Sequence, residues 1–352
     1  MAVKAGALSL MTAYNEVDGI PCTANPFLTN QLLRDQWGFS GFVVSDLYAI
    51  DGLMSQRVAA GRDEAGILAL RSGVDSDLGG NCFSADLVRA CREGRLAEAD
   101  IDRAVSRILR LKFKMGLFDN PYVKVKKAEK LIGTSGHREV AREVARQSVV
   151  LLKNENQLLP LSKEVKRVAV IGPNADNVYN QLGDYTAPQA PGSVITVLEG
   201  IRQKLPGAEV RYVKGCAVRD TLDTSIGEAC ETAKNSDVVV VVLGGSSARD
   251  FETDFLETGA AVANERKVSD MESGEGFDRI GLSLMGKQVE LLKALYATGR
   301  PVVLVMVQGR PLELNWAAEH IPAILTTWYP GGEGGRAITD VLFGDYNPAG
   351  RL

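Results

Sequence analysis

Two carboxylates on unlike segments carry the chemistry this chain could perform. Asp46 ends the apolar run Gly41-Phe-Val-Val-Ser-Asp46, and Glu275 lies between glycines in Ser273-Gly-Glu-Gly-Phe-Asp-Arg279, about 230 residues later. A buried strand that runs out at a carboxylate is where α/β barrels place catalytic groups, whereas a glutamate flanked by glycines belongs to a loop free to approach one. Double displacement at a glycosidic carbon needs this division of labour. One ionised carboxylate attacks, a second carboxyl protonates the departing oxygen, and the two stand about 5 to 5.5 Å apart. Phe42, Val43 and Val44 would fix the strand behind Asp46, while Gly274 and Gly276 would let the Glu275 loop close and shed water. The pair therefore suggests a retaining glycosidase, in which one carboxylate would be the nucleophile and the other the proton donor. Each residue alone has an ordinary explanation: an Asp at a strand end is most often a cap or turn residue, and Glu275 by default is a solvated turn residue. Glu252, Glu257 and Glu272 are neighbouring rivals for the proton-donor role.

The elements that must position these groups follow a βαβ pattern in residues 1–118. Ala7 to Tyr14 and Gly41 to Ser45 are strand-like, and Leu28 to Trp37 between them reads as a helix stopped by Gly38. After Val74-Asp-Ser-Asp77, the spacing of Ile101, Ala104, Val105, Ile108, Leu111 and Met115 predicts one apolar helix stripe, with Asp102, Arg103, Arg107 and Arg110 facing away and Gly116 as terminator. Residues 119–165 read as a linker with a second amphipathic helix, Arg138 to Leu152, whose apolar side holds Val140, Val144 and Leu151. From 166 to 352, strands are expected at Val168–Ile171, Val210–Val213, Val238–Leu243, Val302–Val307 and Ala323–Trp328, separated by helices at Val197–Lys204, Ile226–Lys234 and Lys287–Tyr296. That alternation predicts an α/β sandwich with a mostly parallel sheet.

Composition excludes several other classes. The 352 residues, 45% of them hydrophobic, suffice for two ordinary cores. With 44 acidic and 40 basic residues mixed along the chain, there is no basic block to track a phosphate backbone, so nucleic acid is not an expected partner. The longest apolar runs fall far short of the roughly 20 residues a membrane span needs. Five scattered cysteines without a Cys-x-x-Cys pair give no metal site or disulfide framework, and no organic cofactor is expected. The N-terminus carries no signal-peptide pattern and gives no compartment. His137 and His320 lie far from any cluster and read as structural.

Several of these segments together resemble glycoside hydrolase family 3: Met11-Thr-Ala-Tyr-Asn15, Leu33-Arg-Asp-Gln-Trp-Gly-Phe39, Gly41 to Asp46, Val150-Leu-Leu-Lys-Asn154, Val170 to Asp176, Gly274-Glu-Gly-Phe-Asp-Arg279 and Phe343 to Arg351. The resemblance runs in order through nearly the whole chain. It implies a β-glucosidase or β-xylosidase, acting on a terminal residue of a β-linked glycoside, with Asp46 as nucleophile and Glu275 as acid/base. Met11 and Tyr14 match positions lining the sugar subsite, although packing on a barrel strand is an equal reading for them. Leu47 follows Asp46 where many members carry Trp.

The resemblance also implies a fold: the C-terminal part of a (β/α)8 barrel, then the sandwich. A whole barrel takes about 250 residues, so the chain is expected to begin inside it. The absent part, which in family members supplies an Asp, an Arg and a Lys-His pair to the sugar hydroxyls, would then be a possible partner chain, and the chain alone would be incomplete. Two other functions are compatible with the sequence. One is a non-catalytic carbohydrate-binding remnant. The other is a dinucleotide-binding protein, suggested by Gly332-Glu-Gly-Gly-Arg-Ala337, a weak match that a tight turn into a helix explains as well.

Overall fold

The computed structural model describes residues 1–248, 269–274 and 279–352. The chain divides into two compact units, Met1–Val125 and Lys126–Leu352.

In the first unit, β1 (Ser9–Met11), β4 (Phe42–Leu47) and β5 (Ser76–Leu78) form a parallel sheet in the order β1-β4-β5, with β2 (Glu16–Val17) and β3 (Ile20–Pro21) as a small hairpin beside it. β1 is much shorter than the expected Ala7 to Tyr14: Ser9 to Met11 pair with Phe42 to Val44, and the ladder bonds run no further than Leu8 and Thr12. The helix before β4 spans Phe27–Gln36 with wide, π-type hydrogen bonding, and Gly38, at φ +69, ends it as expected. α1 (Ala49–Ser55), α2 (Arg62–Arg71), α3 (Ala85–Arg92) and α4 (Glu98–Lys114) complete the unit. One core joins Leu33, Phe39, Val43, Ile50, Leu53, Ala65 and Val74.

The predicted stripe on α4 is only partly used. Ala104 is buried, but Val105 and Met115 are exposed, and Arg107, expected to face away, reaches inward to the carboxylate of Asp75 at 2.8 Å. The physical reason is that Asp75, 1% exposed, is a buried charge that must be paired, and a long basic side chain on α4 meets that need.

The second unit begins with α5 (Val125–Leu131) and α6 (Ser135–Ser148) and holds, among the described residues, a six-stranded sheet. Its strands are β6 (Val150–Asn154), β7 (Arg167–Ile171), β8 (Glu209–Val213), β9 (Val238–Gly244), β10 (Val302–Val307) and β11 (Ala323–Thr326), in the order β6-β11-β10-β9-β7-β8. All pairings are parallel except β6 on β11. The alternation of side chains explains the layers. Val168, Val170, Val240, Val242, Val303 and Val305 face α8 (Val197–Lys204) and α12 (Gly334–Leu342). Ala169, Ile171, Val239, Val241, Leu304 and Met306 face α9 (Ile226–Lys234), α10 (Gln288–Tyr296) and α11 (Asn315–His320). The short helix α7 (Val178–Leu182) follows β7.

The expected Arg138-to-Leu152 helix ends at Ser148, and Val150 to Asn154 instead form the antiparallel edge strand, which puts this segment inside the second unit. Val140 and Val144, its predicted apolar side, are both 64% exposed. The inward face is basic. Arg142 grips Asp340 through Nε and Nη2, each at 2.8 Å, Arg146 Nε adds 2.8 Å, Lys204 Nζ adds 2.9 Å, and Arg138 pairs with Glu333. Asp340 is 1% exposed, so buried charge again overrides the hydrophobic pattern. Burial alone would raise the Asp340 pKa, but the three cations hold it below the ordinary carboxylate value.

Gly332 to Ala337 form a turn and the start of α12, and the glycines serve packing. A Cβ on Gly335 would collide with the carbonyl oxygens of Thr196 and Ile195, and one on Gly200 with the Gly335 carbonyl, so the two small residues let α8 and α12 approach closely.

Candidate active site

Strand β4 sorts its side chains by face. Val43 and Ser45, both 0% exposed, point into the core, whereas Phe42, Val44 and Asp46 share the less covered face. In the parallel register Met11 lies opposite Val44, on that same face and 54% exposed. Asp46 Oδ1 accepts the Leu47 N–H at 2.7 Å, and the Tyr14 hydroxyl donates to the Leu47 carbonyl at 2.7 Å. The structure therefore gathers Met11, Tyr14 and Asp46 at the carboxyl end of β4. At Leu47 the backbone makes these links and the side chain packs beside Gly79.

The support beneath Asp46 carried no sequence signal. Asp75 Oδ2 accepts from Arg34 Nη2 at 2.6 Å and from the Val43 N–H at 2.8 Å, while Oδ1 accepts from Arg107 at 2.8 Å. One carboxylate thus ties β4, the helix Phe27–Gln36 and α4 together, three residues before Asp46. Nearby, Asp51, Asp77 and Cys82 bring one donor atom each within 4.8 Å of one another. Burial pushes the Cys82 thiol up to about 12 and Asp77 above its ordinary value. Asp77 Oδ2 accepts from the Cys82 N–H at 2.8 Å, and Asp51 pairs with Arg62 at 3.0 Å. One oxygen of each carboxylate is engaged in this way, while Asp51 Oδ2 and Asp77 Oδ1 are buried without a hydrogen-bond partner among the described residues.

In the second unit the strand order changes direction at β7, with β8 on one side and β9, β10 and β11 on the other. In open α/β sheets, ligands bind outside the carboxyl ends of strands at such a point. A buried amide chain pins those ends. Asn174 Nδ2 donates to the Gly245 and Val307 carbonyls at 3.0 and 3.2 Å, Asn180 Nδ2 donates to Asn174 Oδ1 at 2.8 Å, and Ser246 Oγ donates to Asn180 Oδ1 at 2.7 Å. The connection leaving β9 returns to this place, where the Glu272 and Ser273 N–H groups donate to the Ser246 carbonyl at 2.8 and 3.3 Å.

Glu275 lies outside the described residues, as do Glu252 and Glu257. Glu272 is described, and its side chain, 1% exposed, pairs with Arg279, 6% exposed, at 2.8 Å. The pair lines a pocket together with Arg219, Ile280, Ser283 and Met285. His320 stacks on Trp316 at 4.4 Å, and the His137 N–H is capped by Thr134 at the start of α6.

Comparison with known proteins follows the same division. The chain is 39% identical, over 100% of its length and 47% of the relative's, to a β-xylosidase of Formosa agariphila. It is 36% identical, over 99% of its length and 46% of the relative's, to a periplasmic β-glucosidase of Salmonella typhimurium. A β-glucosidase structure from Erythrobacter marinus superposes with TM-score 0.82 at 38% identity, covering 99% of this chain and 47% of that one. A Listeria innocua β-glucosidase in complex with glucose gives TM-score 0.82 at 33% identity, covering 99% and 44%. The chain spans just under half the length of the curated relatives it matches. Residues 1–111 match the glycosyl hydrolase family 3 N-terminal domain and residues 149–352 the C-terminal domain. With both domains of one family matched in order, the chain belongs to glycosyl hydrolase family 3.

Proposed function

We propose that this chain is part of a retaining, exo-acting β-glycosidase that removes terminal β-glucosyl or β-xylosyl residues, with Asp46 as nucleophile and Glu275 as acid/base. The observation that carries this reading is the placement of Asp46 at the carboxyl end of β4, on the face it shares with Met11 and beside Tyr14. An ionised carboxylate there can attack the anomeric carbon, and Met11 and Tyr14 can offer an apolar face and a hydroxyl to the ring. Glu275 belongs to the connection that leaves β9 at the reversal of strand order, which suits a residue reaching a ligand. A glutamic acid there would protonate the leaving oxygen and then activate water.

The parallel strands β1, β4 and β5, with their helices, support assignment of residues 1–118 as the last part of a (β/α)8 barrel, residues 119–165 as the connection and 166–352 as the sandwich domain. Sugar contacts from the rest of a barrel would come from elsewhere in the protein or from a separate chain. Relatives named for glucose and for xylose both support the β-glycoside class.

The test is trapping with an activated 2-deoxy-2-fluoro β-glucoside or β-xyloside in the presence of the remaining barrel half, followed by peptide mapping. The label is expected on Asp46 and absent from Asp46→Ala. Labelling of another carboxylate, with Asp46→Ala fully active, refutes the assignment. Without the barrel half, turnover of a nitrophenyl glycoside should fall by orders of magnitude, since each ~1.4 kcal/mol of lost hydroxyl contact lowers the rate tenfold. Binding of a β-glucoside without turnover under both conditions would favour the carbohydrate-binding remnant.

A further inference from the structure

We propose that the second unit carries an oxyanion site, for phosphate free or attached to a sugar, in the groove between α6, α8 and α12. The groove has a volume of about 220 Å³, and its polar lining is Arg142, Gln203, Lys204, Arg336, Thr339 and Asp340. None of these residues is assigned to glycoside cleavage. Three of the charged groups are cations and one is a carboxylate. That carboxylate is already saturated: Asp340 is 1% exposed, its Oδ1 accepts from Arg142 and Lys204, and its Oδ2 accepts from Arg142 and Arg146. Arg336 is anchored by Glu333 Oε2 and Gln203 Oε1, each at 3.0 Å.

The unused side-chain capacity is mainly that of donors. Arg336 Nη2 and Gln203 Nε2 make no hydrogen bond among the described residues. Lys204 Nζ has a third proton beyond those given to Asp340 and Asp345. The wider setting is basic as well: Arg138, Arg146 and Lys163 join the three groove cations in converging on only three carboxylates, Glu333, Asp340 and Asp345. Glu139 and Glu143, 62% and 44% exposed, offset part of this excess from outside the groove lining, 3.4 to 3.7 Å from Arg142 and Arg146. A ligand that brings several charged oxygens satisfies both the donors and the charge. Guanidinium and ammonium groups bind such oxygens with hydrogen bonds roughly twice as strong as neutral ones. A cation or an apolar ligand would leave these donors unpaired.

The experiment titrates inorganic phosphate into the full-length protein by isothermal calorimetry, at an ionic strength held constant with chloride. A Kd of about 1 mM or tighter is expected. At about 10 mM phosphate the melting temperature of the second unit should then rise by about 3–6 °C. Arg336→Gln removes a charged donor at a partly exposed position and should weaken binding roughly tenfold or more. Gln203→Glu keeps the acceptor for Arg336 but sets a negative charge on the groove wall, so binding should be lost. Arg92→Gln, an exposed change in the first unit, should leave binding unchanged. Phosphate-free melting temperatures of the variants show that each is folded. Glucose 6-phosphate as a second titrant separates the two sources. Tighter binding than phosphate assigns the groove to an esterified phosphate, and equal or weaker binding assigns it to the free ion. Absence of both heat and thermal shift with either titrant at about 10 mM overturns the proposal. Binding that survives both Arg336→Gln and Gln203→Glu overturns it as well.

Discussion

Replacing Asp75 by Asn tests whether one buried carboxylate holds the strand that carries Asp46. The Asp75 side chain is 1% exposed, and its partners Arg34 and Arg107 are 10% and 17% exposed. Asn keeps the shape and one acceptor, so the Val43 N–H can still be satisfied. The charge is lost, and two largely buried guanidinium groups remain without their counter-ion. Removing one member of a buried pair costs about 3–5 kcal/mol, because the remaining charge stays desolvated. On a domain stability of about 5–15 kcal/mol, that is a large fraction. It corresponds to roughly 10² to a few 10³ in the equilibrium for opening β4. Arg107→Met is the internal comparison. There the carboxylate keeps Arg34 at 2.6 Å and the Val43 N–H at 2.8 Å, so the cost should stay near the value of one charged hydrogen bond, about 1.5–3 kcal/mol. Hydrogen exchange followed by mass spectrometry provides the assay. Peptides covering residues 41–47 should lose protection in Asp75→Asn more than in Arg107→Met, while peptides covering 238–244 in the second unit report whether the effect is local. Protection of β4 changed less than threefold by Asp75→Asn would refute the reasoning, since it would mean that the two arginines find solvent or other partners at little cost.

Asp345 should mark the acid limb of the second unit's stability. Hydrogen bonds from Lys163 and then Lys204 hold its pKa at about 2, below the ordinary 3.8, so the contribution of these ion pairs is complete above about pH 4 and is lost as pH falls toward 2. Melting temperatures of wild type and Asp345→Asn should therefore differ above pH 4 and converge toward pH 2; parallel curves would exclude the linkage. Gly335→Ala should lower the melting temperature of the second unit by the equivalent of about 1–3 kcal/mol, because the added methyl meets two carbonyl oxygens and α8 must move away from α12. An unchanged transition in a calorimetric scan would show that the helices have room to spare. Asp340→Asn should cost more than Asp345→Asn at neutral pH, since Asp340 is 1% exposed and is shared by Arg142, Arg146 and Lys204, whereas Asp345 is 30% exposed. Urea denaturation ranks the two, and the reverse order would contradict the burial argument.

Much of this molecule was legible from local signals. The valine runs at Val238 and Val302 specified buried parallel strands because only strands covered on both faces tolerate uninterrupted apolar residues. Gly38 marked a helix end, where it adopts a positive φ, and the apolar run from Gly41 marked a strand, observed as Phe42–Leu47. Tertiary structure decided what local pattern could not. Periodicity assigns arginines to the water side of a helix, yet Arg107 on α4 and Arg142 and Arg146 on α6 turn inward, because Asp75 and Asp340 are buried there by contacts from distant segments. Val140 and Val144 are left exposed by the same choice. Glu272 is enclosed against Arg279, seven residues on, a pairing that no local pattern announces. A buried charge is costly without its partner, and which residues share a buried site depends on contacts far apart in sequence, so that cost is invisible until the chain has folded.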